Sequence, residues 1–393
     1  MMWRGVPRGV VVLGLVSLCM DVSSEIIHAL LPLYLATGLG VSMFTIGMLE
    51  GAAEALALIV KVFSGAWSDA VRKRKPLVLA GYGLAALTKP IFALAPSFAW
   101  IAGARFADRI GKGIRGAPRD ALIADITPGD VRGAAFGLRQ ALDTVGAVLG
   151  PIIAIVALAA FAGNFQYAFW IAVIPAAICI ALIVFGVDEP DRVGGGADSR
   201  KKLSFADAKR LPPAFWLVTG IATLMAIARC SEAFLILRAT DVGFAPGQAP
   251  WVMVVMSVVY AASAYPAGKA LDAGKGGVML YAGLAMLVAA HASLAFASGG
   301  TPLFAGAALW GLHMGLTQGV FAAMVAEHAP ADLRGTAFGA FNFAQGVGIL
   351  AASAAAGALW DAFGARYAFA FGAAFALLSA IALVASSKPL RHA

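Results

Sequence analysis

The chain has 393 residues, of which 61% are hydrophobic and only 13% charged, with a mean hydropathy of +0.85. A soluble domain carries roughly twice that charged fraction, so a water-facing globule is excluded. The formal charge of +8 suggests nucleic acid or anionic lipid as a partner, but its distribution along the chain, described below, assigns it to membrane topology and leaves no role for nucleic acid.

Apolar runs long enough to cross a bilayer need about 20 residues each. Twelve occur, at approximately 8–35, 42–66, 76–96, 98–123, 131–158, 166–186, 213–236, 249–270, 277–298, 301–326, 334–358 and 365–386. Barrel strands are about 10 residues with alternating polarity, so runs of this length read as helices. The expected fold is an all-α membrane protein of twelve transmembrane helices in two pseudo-symmetric six-helix bundles, 1–187 and 213–393, joined by a linker at 188–212.

Arg4 and Arg8 ahead of the first run imitate a signal peptide. Asp21 and Glu25 interrupt the run, however, and no small-residue cleavage site follows, so the segment is expected to remain. In this run Asp21, Glu25 and His28 fall at i, i+4 and i+7, on one helical stripe. In the second run Glu50, Glu54 and Lys61 lie within about 40° of one another. The fourth run places Asp108, Lys112, Arg115 and Arg119 on a stripe with Arg105 nearby and Arg109 beside them, and the fifth pairs Arg139 with Asp143 at i, i+4. Lys89 and Asp120 complete fifteen ionisable groups in the first six runs. At about 2.5–3.5 kcal/mol each, facing lipid would cost on the order of 40 kcal/mol. They therefore line a wet cavity, pair with one another, or sit near the interfaces.

Asp21, Glu25, Glu50 and Glu54 are the candidate proton carriers, because a carboxylate whose protonation depends on the open side couples transport to a proton gradient; the alternative is a permanent salt-bridge network. The helix 4 cations fit an anionic substrate, since Arg makes forked contacts with carboxylate or phosphate; equally, they neutralise the acids. The second half holds only Arg229 and Glu232 as clear interior charges, with His313, Gln318, Asn342 and Gln345, and is expected to supply apolar and aromatic contacts. His313 and His291 read as packed or pore-lining imidazoles rather than metal ligands. Cys19, Cys179 and Cys230 lie inside runs with no CxxC spacing, which argues against a disulfide framework or thiolate zinc site.

The break at Asp188–Pro213 carries Gly194-Gly195-Gly196, Arg200-Lys201-Lys202 and Pro212-Pro213, a linker composition. Across it the sequence repeats. Ser24-Glu25 recurs as Ser231-Glu232, Gly65–Asp69 as Gly268–Asp272, and Arg132–Gly137 as Arg334–Gly339, at offsets of 207, 203 and 202. Such repeats commonly place a transport site between two halves.

These segments also carry a resemblance. Gly65-Ala-Trp-Ser-Asp69 followed by a basic cluster through Arg72 and Lys73 resembles the loop 2–3 motif of the major facilitator superfamily, and the segments opening at Arg132 and Arg334 resemble the same family. That resemblance implies twelve helices and alternating access, with Gly65, Asp69, Arg72, Lys73, Gly268, Asp272, Arg132 and Arg334 in gating. Gly137, Gly146, Gly150 and Pro151 resemble the family's antiporter motif, whose small residues pack helix 5 against helix 8. The implied activity is proton-coupled efflux antiport, with proton-symport uptake of an organic anion or siderophore-like metabolite as the alternative.

With the N-terminus inside, eighteen Lys and Arg fall on the cytoplasmic side against Arg238 and Arg366 opposite. The positive-inside rule then puts both termini in the cytoplasm of a bacterial inner-membrane protein. The expected partners are a small-molecule substrate, protons and the bilayer, with no cofactor or metal, and the expected working form is a monomer. No HExxH, GxSxG or Walker-type loop suggests an enzyme or ATP-driven pump.

Overall fold

The computed structural model describes residues 6–70, 73–189, 205–330 and 333–386, leaving aside the side chains at 66, 69, 70 and 205–207. Arg72 and the Asp69 side chain, the Gly194–Gly196 and Arg200–Lys202 stretches, and Arg4, Arg192, Lys388 and Arg391 lie outside what is described.

The described residues are helical and form no strand. The order is α1 (Arg8–Leu33, continued as a π-helical turn Tyr34–Gly38), α2 (Met43–Ala70), α3 (Lys75–Leu94), α4 (Phe98–Ile126), α5 (Arg132–Ala160) and α6 (Phe165–Gly186). The second half contains α7 (Pro213–Asp241), α8 (Trp251–Asp272), α9 (Gly276–Ala295), α10 (Gly300–His328), α11 (Arg334–Phe363) and α12 (Ala365–Ser386). Eleven are long and apolar enough to span a bilayer; α4 falls short, because seven ionisable residues from Arg105 to Asp120 interrupt it. Its membrane placement follows from its neighbours and not from its own hydropathy.

Three helices expected to be continuous are broken, α6 at the single residue Ala172 between Ile171 and Val173 and the other two over longer steps. α7 stops at Ala228 and resumes at Ala233, and α10 stops at Thr317 and resumes at Val320. Arg229 and Glu232 thus sit in a non-helical step of α7, not on a helix face. In α10 the break is at Gln318-Gly319, where Gly319 takes φ +79°, a left-handed backbone that glycine adopts without a Cβ penalty.

Two compact units emerge, Met1–Leu31 with Leu56–Lys202 and Pro32–Ala55 with Leu203–Ala393. The sequence-based division at the linker groups all of α2 with the first half, whereas in the structure its opening turns pack in the second unit. Small residues explain this. A Cβ on Gly51 would meet Leu350 Cα and Ser353 Cβ of α11 at 3.0 Å, one on Gly357 would meet Phe44 Cα at 2.7 Å, and Gly47 lies directly against the Ser353 backbone. Asp361 then caps α2, its Oδ1 accepting from Met43 N at 3.0 Å and its Oδ2 from Phe44 N at 2.8 Å. A carboxylate at a helix N-terminus satisfies orphan N–H groups and complements the dipole. Asp361→Ala is expected to lower stability by about 1 kcal/mol, read as a fall in the unfolding midpoint of purified protein; an unchanged midpoint would remove the cap from the account.

The first unit's apolar core joins Val10, Leu13, Val16 and Met20 of α1 to Val78, Tyr82 and Ala85 of α3 and Cys179 and Ile183 of α6. Large apolar side chains such as Phe185, Leu87 and Val156 point outward, as a lipid-facing surface requires. The two arginines predicted on the sparsely charged side, Arg238 of α7 and Arg366 of α12, both pack against the C-terminal end of α9. Arg238 donates to Leu294 O and Ala297 O at 3.0 and 2.7 Å, and Arg366 lies over the Phe296 ring at 4.5 Å.

Within each unit the packing repeats at the sequence offset of 202. Gly81 of α3 lies against Arg115 of α4, and Gly283 of α9 against Thr317 of α10; Gly113 lies against Val60 of α2, and Gly315 against Ser263 of α8; Gly146 of α5 lies against α1, and Gly348 of α11 against α7. The same small-residue crossings recur in both units, with backbones approaching closely wherever no Cβ intervenes.

Candidate functional site

In the first unit the ionisable residues of α1, α2, α3, α4 and α5 form one network. Its deepest element is Lys89, fully buried, whose Nζ lies 2.7 Å from Asp108 Oδ1 and donates to Ser24 Oγ at 3.1 Å. Arg109 Nε approaches the other oxygen of Asp108 at 3.5 Å, and Arg105 is an electrostatic neighbour. Asp108, Arg105 and Arg109 are all buried. Partnering of this kind is what makes a buried charge tolerable.

Nearer the α5 side, Arg119 donates to Ser17 Oγ at 2.8 Å, to Tyr82 Oη at 3.4 Å and to Asp120 Oδ1 at 3.0 Å. Arg139 bonds Asp143 Oδ2 at 2.5 Å and Gln140 Oε1 at 3.0 Å. Arg115 stacks on the Tyr82 ring at 4.7 Å and reaches Asp21 Oδ1 only at 3.8 Å. Asp21 has Asp143 and Glu25 as electrostatic neighbours along with Arg115 and Arg119. Glu25 pairs with His28 Nδ1 at 3.5 Å and faces Arg109 and Lys112.

The antiporter-like glycines meet this network. A Cβ on Gly146 would lie 2.9 Å from Asp21 Cβ, and one on Gly150 would collide with Glu25 Cβ and sit 3.2 Å from its Cα. Within the first unit these glycines therefore bring α5 against α1 at the two candidate proton carriers, an approach different from the one their resemblance implied. Pro151 beside them is buried.

The network gathers the expected Asp21, Glu25, His28, Lys61, Arg105, Asp108, Arg109, Lys112, Arg115, Arg139 and Asp143. Glu50 and Glu54 belong to the second unit, where Glu50 is buried and Glu54 is an electrostatic neighbour of Arg229, with Glu232 and Tyr260. Tyr260 Oη bonds Gln318 Oε1, so the α10 break belongs to the same neighbourhood. Asn342 and Gln345 are half-buried on α11. His313 is fully buried, its Nδ1 2.8 Å from Gly283 O, which places it in the α9–α10 packing rather than on a wetted wall.

Arg119 of the helix 4 stripe belongs to the network too, and Lys89, Ser17, Ser24, Tyr82, Asp120 and Gln140 complete it without having been assigned a site role from sequence. Lys89 carried a signal, being a solitary Lys inside an apolar run. Ser17, Ser24 and Tyr82 carried none, because hydroxyls are ordinary in spanning helices.

Of the motif residues, Gly65 lies 3.6 Å from Ala117 in α4 as a built Cβ would see it, while Gly137 and Gly268 have open space. Lys73, Arg132, Arg334 and Asp272 are exposed, and Arg132 reaches Ala124 O at 3.3 Å. The basic loop is tied down beside them. Arg74 pairs with Asp125 at 3.1 Å, and Glu189 accepts from Arg74 N and Lys75 N at 2.7 Å each, capping α3.

The Major Facilitator Superfamily model matches residues 13–236 and 225–393. An uncharacterized MFS-type transporter of Methanocaldococcus jannaschii is 30% identical, covering 97% of this chain and 95% of its own. An uncharacterized protein of Mycobacterium bovis is 29% identical, covering 90% and 85%. Among solved structures, a POT family transporter in complex with 5-aminolevulinic acid superposes with TM-score 0.80 at 15% identity, covering 98% of this chain and 97% of its own. The human organic anion transporter MFSD10 gives TM-score 0.68 at 19% identity, with 96% and 99% covered. Twelve helices, a repeated six-helix packing pattern and these matches lead to one conclusion: the chain belongs to the Major Facilitator Superfamily and is a multi-pass membrane transporter, not an enzyme.

Proposed function

We propose that the chain is a proton-coupled efflux antiporter working by alternating access, with protons carried on Asp21 and Glu25 of α1. The observation that carries this reading is their setting. Both carboxylates stay partly exposed, at 30% and 25% of their side chains, while Asp108 nearby is sealed by Lys89. A partly exposed carboxylate among cations and a second acid, Asp143, can gain and lose a proton within a cycle; a sealed ion pair cannot do so without breaking. The α5 glycines against these two residues make their surroundings sensitive to any movement of α5 on α1. Direction rests on the antiporter-like spacing of those glycines. The eighteen-to-two distribution of Lys and Arg supports a bacterial inner-membrane protein with both termini cytoplasmic.

The test is flux in proteoliposomes under an imposed pH gradient, with internal pyranine reporting protons during a screen of anionic and cationic compounds. Asp21→Asn and Glu25→Gln are each expected to cut gradient-driven flux at least tenfold, while exchange of substrate for substrate at equal pH continues. Wild-type gradient-driven flux in both variants would end the assignment.

A further inference from the structure

α1 and α5 lie side by side in one register. A Cβ on Gly14 of α1 would meet Leu142 Cδ1 of α5 at 2.6 Å, one on Gly146 would meet Asp21 Cβ at 2.9 Å, and one on Gly150 would lie 3.2 Å from Glu25 Cα. Asp143 stands one turn before Gly146, on the face of α5 that meets α1. The register therefore brings its carboxyl beside Asp21, and the two acids are electrostatic neighbours.

Each acid has an oxygen left over. Asp143 Oδ2 accepts from Arg139 at 2.5 Å, while its Oδ1 is buried and has no hydrogen-bond partner among the described residues. The ion pair of Asp21 with Arg115 is loose, at 3.8 Å, beyond hydrogen-bond length. The cations around the pair are engaged elsewhere. Arg119 donates to Asp120, Ser17 and Tyr82, and Arg139 to Asp143 itself and to Gln140. Arg115 stacks on the Tyr82 ring, and its Nη1 is buried without an acceptor among the described residues. The other groups facing the pair are Glu25 of α1 and Cys179 of α6 beside Asp21, and Asp120 of α4 beside Asp143.

Buried carboxylate oxygens ordinarily find donors, and neighbouring carboxylates resist joint ionisation. One proton answers both conditions, because an O–H on Asp21 supplies the donor that Asp143 Oδ1 lacks. The helix crossing itself needs neither acid. Gln345 stands for Asp143 in the repeat and Ala228 for Asp21, at offsets of 202 and 207, yet Gly348 still packs against Ala226 and Thr223 of α7.

We infer that Asp21 and Asp143 hold one proton between them and gain and lose it as a unit, which makes Asp143 of α5 a residue of the proton step. This rests on the proton-coupled reading above and extends it to a second helix. When the O–H bond of Asp21 breaks, the proton leaves to water on the exposed side of Asp21, and no other covalent bond changes. Two carboxylates then face Arg115, whose Nη1 closes on Asp21 as the guanidinium leaves the Tyr82 ring. α4 thereby registers a proton lost from α1 and α5.

The probe is dicyclohexylcarbodiimide, which reacts with protonated carboxyls in apolar surroundings. It is applied to the detergent-purified protein at neutral pH, and adducts are located by peptide mass spectrometry. The wild type is expected to carry an adduct on Asp21 or on Asp143, one per chain and never both. Asp143→Asn removes the second charge and should cut Asp21 labelling about tenfold or more, while Asp143→Glu should keep most of it. A role for Asp143 in packing alone would leave Asp21 labelling as it is. Adducts on both residues of one chain, none on either, or wild-type labelling of Asp21 in Asp143→Asn would each overturn the inference. The adduct count on the wild type needs no variant, so it decides the matter where Asp143→Asn does not fold. Pyranine-reported flux separates this from the coupling assignment. Wild-type gradient-driven flux in Asp21→Asn, with single exclusive adducts on the wild type, would end the coupling role and leave the shared proton standing. Lost flux in Asp21→Asn with adducts on both residues of one wild-type chain would do the reverse.

Discussion

Asp108→Asn is expected to destabilise the protein by about 3–5 kcal/mol, the cost of removing one partner of a buried ion pair. Asp108 is the anion for three groups at once. Lys89 is at 2.7 Å, Arg109 at 3.5 Å and Arg105 is close by, and all three are buried. Neutralising Asp108 takes the carboxylate from the buried Lys89 and weakens the surroundings of both guanidiniums. Removing Lys89 instead leaves Asp108 with two guanidiniums, so Lys89→Met should cost less, about 1–3 kcal/mol. The asymmetry is the diagnostic part. The repeat also shows that no ion pair is required at this place, because His291 and Trp310 stand there, 202 positions on, as an edge-to-face aromatic pair at 5.2 Å. Lys89→Met added to Asp108→Asn should therefore recover part of the loss. Reversible unfolding of the purified protein in mixed micelles measures all three variants. Equal losses for Asp108→Asn and Lys89→Met would show that Asp108 is not the shared anion.

Gly150→Val is expected to abolish gradient-driven flux and to cost about 1–3 kcal/mol of stability, the range for overpacking. Even the first carbon added at Gly150 runs into Glu25 Cβ, with Glu25 Cα at 3.2 Å and Val22 O at 3.1 Å. Backbone cannot step aside as a side-chain tip does, so α1 must move away from α5 at the level of a candidate proton carrier. Gly137→Ala is the matched control on the same helix, because nothing lies within 4 Å of a Cβ there; helix propensity alone predicts a small gain. Stability is read by unfolding and flux by pyranine fluorescence in proteoliposomes. A Gly150→Val protein with wild-type flux would show that the α1–α5 approach has no part in transport.

The aromatic content of the second unit extends this contrast between the halves. Phe234, Trp360, Phe369, His291 and Trp310 run in successive contact at 5.2–6.1 Å, where the first unit uses ions. Six-helix packing tolerates either solution, because the small-residue crossings supply close backbone contact in both.

The sequence by itself determined that the chain is a twelve-helix membrane protein with an internal repeat, because length and apolarity of a run are one-dimensional properties fixed by bilayer thickness. It also identified the charged stripes of α1, α4 and α5, since a 100° helical step converts spacing into a common face. Only the tertiary structure decided which charge meets which: that Lys89 takes Asp108, and that Gly146 and Gly150 meet Asp21 and Glu25. Those outcomes depend on how closely neighbouring backbones approach and in what rotation. Spacing along one helix carries no information about the helix beside it.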